Sequence, residues 1–134
     1  MKPALPAGVI ITHSSRFPVP ASGDAALQAR PVARSVLKLV LGASNNAERT
    51  MRRVETCLAE LVAVAYTRTN SDYLICEIGV DDDHVFVTVE HEEALPTTAD
   101  ETTIGLQLVK TIAHDYGTHI VEDAFHTWAA VRRV

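Results

Sequence analysis

The chain predicts an α+β fold: a two-layer sandwich in which a mostly antiparallel, mixed sheet carries three helices on one face. Three observations predict it. Residues 73–80 and 85–90, and again 118–122 and 126–132, are short alternating segments joined by too few residues for a crossover helix, so each pair reads as a hairpin. Two longer segments repeat apolar residues at three- and four-residue steps, the mark of amphipathic helices. The overall order is edge strand, helix, helix, hairpin, loop, helix, hairpin, which suits helices gathered on one side of an antiparallel sheet.

Residues 1–14 read as a loose segment or edge strand, and 15–134 as one domain. Val9-Ile10-Ile11-Thr12 and Arg16-Phe17 suit edge strands, because Pro18 and Pro20 cannot donate to a central ladder. The first helix is expected to begin at Pro31, a good first helical residue. Its apolar residues would be Val32, Val36, Leu37, Leu39, Val40 and Leu41, with Gly42 ending it. Asn45 or Asn46 is the expected cap of a second helix running to about Tyr66, with Met51, Val54, Leu58, Leu61 and Ala65 on its inner stripe. In the first hairpin Leu74, Cys76, Ile78 and Val80 share a face, as do Val85, Val87 and Val89. Asp81-Asp82-Asp83-His84 makes the turn. A polar loop over 92–103 precedes a third helix from about Ile104 to His114 and the final hairpin.

Composition narrows the function classes. Hydrophobic residues make up 47% and charged residues 22% of the 134, an ordinary globular balance. A net charge of -5 gives the chain as a whole no attraction to nucleic acid or to an anionic membrane. Cys57 and Cys76 fall on inward faces and read as buried thiols of a cytoplasmic protein. The start of the chain does not read as a signal peptide, since Lys2 stands alone and Gly8 to Ile11 is too short an apolar run. Asp81 to His84 and His91-Glu92-Glu93 read as solvated polar segments, not metal sites, because neither carries the ligand spacing of a known ion-binding motif. Arg49, Arg52 and Arg53 read as a solvated helix face or a docking patch for an acidic partner. Trp128 reads as a core residue.

Four segments together carry a family resemblance: Glu60-Leu61-Val62-Ala63-Val64-Ala65, the strand Val85 to Val89, Gly105-Leu106 with Leu108-Val109, and Thr127-Trp128-Ala129. In this order they resemble bacterial anti-sigma-factor serine kinases of the histidine-kinase-like ATPase superfamily, over residues 15–134. The resemblance implies a Bergerat-type ATPase fold. It casts Glu60 as the general base, or else as an ordinary exposed helix glutamate. The family helix reads Glu-Leu-Val-Thr-Asn-Ala, and its Asn holds magnesium; here that place is Val64. His91 stands where the family has the Asp that reads adenine, although a one-residue slip would bring Glu90 or Glu92 there. Gly105 keeps one glycine of the phosphate-approaching pair, and Leu106 and Thr127 take further pocket positions.

The loop over 92–103 has no glycine and no basic residue. It carries Glu92, Glu93, Asp100 and Glu101, each costing on the order of 1 kcal/mol beside a bound phosphate. The resemblance therefore implies a regulatory protein-binding module of the anti-sigma type, without kinase activity, with weak or no ATP binding and with no cofactor. Its partner would be a sigma factor or an anti-sigma antagonist, and it could pair as a homodimer through the first strand and helix. The alternative is an active serine protein kinase using ATP and magnesium. A third reading is a small α+β domain whose likeness is coincidental.

Overall fold

The structure is a computed structural model that describes residues 12–94 and 103–133. In chain order the elements are β1 (His13–Pro20), α1 (Ala25–Leu41), α2 (Asn45–Tyr66), β2 (Tyr73–Val80), β3 (His84–His91), α3 (Thr103–Ile112), β4 (Asp115–Val121) and β5 (Ala124–Arg132). The five strands form one sheet in the order β1-β2-β3-β5-β4, and every neighbouring pair is antiparallel. The fold is thus α+β with a five-stranded antiparallel sheet and three helices, an arrangement compatible with a two-layer sandwich. Among the described residues no helix is long and apolar enough to cross a membrane.

The expected mixed sheet is not found, and the connections explain why. α1 and α2 are joined by three residues and run back along each other, so the chain enters β2 reversed relative to β1. β3 and β4 run the same way, linked through α3, but β5 is inserted between them. The two strands joined through a helix are therefore split, as in a split βαβ unit.

Period-two alternation puts the expected residues inward. Leu74, Cys76, Ile78 and Val80 of β2, Val85, Val87 and Val89 of β3, and Ala129 and Val131 of β5 form one core with the helices. α2 supplies Met51, Val54, Leu58, Leu61 and Ala65 to that core. Its cap is Ser44, not Asn45 or Asn46: the Ser44 hydroxyl accepts the Ala47 amide at 3.0 Å. Glu48 in the first turn complements the positive end of the helix.

α1 corrects the sequence reading most. It begins six residues before Pro31, which lies inside it. Its buried stripe is Ala25, Ala29, Ala33 and Leu37, whereas Val32 and Leu39 face outward. Small side chains at four-residue steps let α1 lie close against its neighbours. That packing compensates a prolyl position that costs an isolated helix about 3 kcal/mol. Arg34 ties α1 to α2 through Glu48 at 3.0 Å and Glu55 at 2.5 Å. At the edge of the sheet, Arg16 and Phe17 lie within β1, and Thr12 extends it by a backbone bond to Val80, whereas residues 9–11 fall outside the described residues.

Trp128 is buried as expected, but on the other face of the sheet, in a small cluster with Phe86 and Ala130. Its indole lies flat on Gly117 of the adjoining strand, where a Cβ would come within 3.0 Å of Cζ2. β4 starts three residues earlier than expected and ends at a two-residue turn, Glu122-Asp123, with φ of 50° and 70°. Two successive positive φ values match the twist of a hairpin.

Candidate functional site

A cleft opens where α2, α3 and the β4 end of the sheet meet. Its volume is about 230 Å³. Leu61 of α2 and Leu106 and Val109 of α3 form one wall. β4 and β5 form the other through Tyr116, Gly117, Thr118, Thr127 and Trp128, and Lys110 stands at the side. The Lys110 ammonium lies 5.7 Å from the centre of the Tyr116 ring, within cation–π range.

Beside this cleft, at the last residue of β3, His91 is 2% exposed. Its Nδ1 is 2.7 Å from the Glu93 carbonyl, and its Nε2 is 2.7 Å from the Thr127 hydroxyl. The Thr127 hydroxyl is in turn 3.0 Å from that of Thr118. The carbonyl can only accept, so Nδ1 carries the proton and Nε2 accepts from Thr127. Thr127, having donated, accepts from Thr118. Burial pushes the His91 imidazole below its ordinary pKa, only partly opposed by the Glu93 bond, and the ring is neutral near pH 7. Phe125, its partner across the sheet, stacks on it at 5.6 Å between centres.

The six positions singled out by sequence are thus distributed unevenly. Leu106 and Thr127 line the cleft, and His91 is bonded to Thr127. Glu60 and Val64 stand on α2, Glu60 half-buried and Val64 4% exposed, and neither is among the described residues lining the cleft. Gly105 lies in the first turn of α3. The one-residue slip is not adopted. Glu90 points to the opposite face of the sheet, where its carboxylate meets Arg16 at 2.7 Å. The Glu92 carboxylate accepts the Ser71 hydroxyl and the Asn70 amide, which hold it below the usual carboxylate range. Asp100 and Glu101 lie outside the described residues.

These donor sets can be tested against magnesium and a nucleotide. Val64, the position that the family resemblance equates with a magnesium ligand, is a buried aliphatic side chain with no oxygen to offer a cation. Both His91 ring nitrogens are taken, so no acceptor is left for an exocyclic amine. Among the described residues no group of three or more His, Cys, Asp or Glu is placed to hold a metal. Asp81 instead caps its own turn, accepting the Asp83 and His84 amides at 2.8 and 2.6 Å. Cys57 and Cys76 are both free, and burial pushes each thiol up to about 12. Neither is a nucleophile near neutral pH.

The chain matches no protein-family model and no curated protein.

Sequence reasoning did not single out Lys110, Tyr116 and Thr118. They come from two elements and share no spacing. The available signal was the pairing of Thr118 with Thr127, which follows only when the hairpin turn is put at Glu122-Asp123.

Proposed function

We propose that this protein is a non-catalytic regulatory binding module of the anti-sigma type, with a histidine-kinase-like ATPase architecture that no longer handles Mg-ATP. One observation carries the proposal. At the positions where that family handles metal and adenine, the polar groups are absent or satisfied by each other: Val64 replaces an oxygen ligand, and His91 is closed between Glu93 and Thr127. Phosphoryl transfer depends almost wholly on positioning and charge neutralisation, so losing those groups removes the chemistry and leaves a surface. In this proposal the protein acts by covering a sigma factor or an anti-sigma antagonist in the cytoplasm.

The competing reading, an active serine kinase, is favoured by Glu60, a half-buried glutamate on α2. The two readings part in a transfer assay with γ-labelled ATP, magnesium and partners captured by the tagged protein. The module reading expects captured partners and no label on them. Magnesium-dependent labelling of a partner serine, abolished in Glu60→Ala, would instead establish the kinase.

Self-association through β1 and α1 belongs to the same proposal. Val32 and Leu39 lie seven residues apart on one outward face of α1, and Leu39 is 88% exposed. Leu39→Glu is expected to convert a dimer to a monomer in sedimentation without unfolding the chain. A parent protein that sediments as a monomer at high concentration would end the dimer proposal.

A further inference from the structure

We infer that the cleft between α3 and the β4 end of the sheet binds a small amphipathic carboxylate, an aromatic or branched aliphatic acid. The apolar body would lie on Leu61, Leu106 and Val109, and the acid group would meet Lys110. The wall is preformed: Leu61 and Val109 are 3% and 2% exposed, and Leu106 is half-buried against the main core. At about 230 Å³ the space falls just below the roughly 300–1,000 Å³ of drug-sized pockets, so it suits a single ring or a short branched chain.

The charge at the rim selects the ligand's other end. Lys110 is exposed and makes no ion pair among the described residues. Its contact with the Tyr116 ring holds the ammonium at the mouth without neutralising it. The nearby threonine hydroxyls are engaged with each other and with His91, so they add no free donors. A single cation at the rim matches the single charge of a carboxylate better than a phosphate, which is recognised by several charged donors at once. A ligand amine would be repelled. This site stands apart from the partner-binding proposal, because the wall and the cation act on such an acid whether or not a protein docks.

The test is titration of the full chain with phenylacetate, benzoate and isovalerate, followed by amide chemical shifts and calorimetry. Phenylacetamide and phenethylamine serve as neutral and cationic comparators of similar shape. Saturable binding of at least one acid is expected, with shifts centred on Leu61, Val109, Thr118 and Thr127. For phenylacetate against its amide, the preference should be about tenfold or more, the usual worth of a charge-assisted contact. Lys110→Met should bring the acid down to the affinity of the amide, and Lys110→Arg should keep the preference. Both variants should melt with the parent, since the side chain is exposed. Absence of saturation by all three acids at millimolar concentration, equal affinity for acid and amide, or shifts centred elsewhere would overturn the inference.

Discussion

Two regions of the sheet differ in how they are covered. In one, the inner strand β2 places Leu74, Cys76, Ile78 and Val80 beneath the helices, where they are sealed. In the other, β4 is exposed along most of its length, with Tyr116 and Ile120 47% and 66% accessible. Both belong to the same antiparallel sheet, but β2 is paired on both sides, whereas β4 is an edge strand, as is the largely exposed β1. The covered region supplies the stability of the domain. Near β4 lie the cleft and the cation at its rim, with the closed His91 relay of β3 beside them.

The largest expected effect lies in the covered region. Leu58→Ala, in the centre of α2, should cost about 2–5 kcal/mol in urea unfolding, whereas Ile120→Ala on β4 should stay within about 0.5 kcal/mol. Similar losses for the two would break the comparison. Gly117→Val tests a place where β4 is tightly packed. A branched side chain there meets the Trp128 indole, itself buried against Phe86 and Ala130, and should cost about 1–3 kcal/mol.

The His91 relay is the next test. Thr127→Val leaves Nε2 buried and unpartnered, a loss of about 1–3 kcal/mol. The same histidine gives a sign in pH. Its folded pKa lies below its unfolded one, so the unfolded chain binds more protons in the window between them. Stability conferred by this group is complete above the unfolded value, about 6.5, and declines as pH falls from there through the folded value. Chemical denaturation at a series of pH values should show that decline in the parent and a shallower one in His91→Gln. Identical profiles would mean that the imidazole is not held neutral. The smallest effect is a gain. Replacing Glu122-Asp123 by Asn-Gly at the two left-handed positions should add about 1 kcal/mol, seen as a higher Tm, because those residues prefer such a turn.

How legible each part was in the sequence follows the same division. α2, β2 and β3 could be read because they are buried on one side and carry strong periodicity in large aliphatic residues. α1 was misread because its buried stripe is mostly alanine, which scarcely registers as apolar, while Pro31 imitated a helix start. β4 was placed late because an exposed strand has no alternation to read, and its turn lacks the glycine or asparagine that would mark it. At the site, His91 and Thr127 could each be singled out by resemblance to a family. The bond between them depends on a register set by β3 and β5 together. Lys110, Tyr116 and Thr118 meet only through the placement of α3 over β4, which no local pattern encodes.

The proposed function holds that this domain has a histidine-kinase-like architecture that no longer handles Mg-ATP. Calorimetric titration of ATP with magnesium into the purified protein tests it most directly. The account predicts no heat of binding and no thermal shift at millimolar nucleotide. Saturable binding at micromolar ATP, strengthened by magnesium, would contradict it and would place a working site around Val64 and His91.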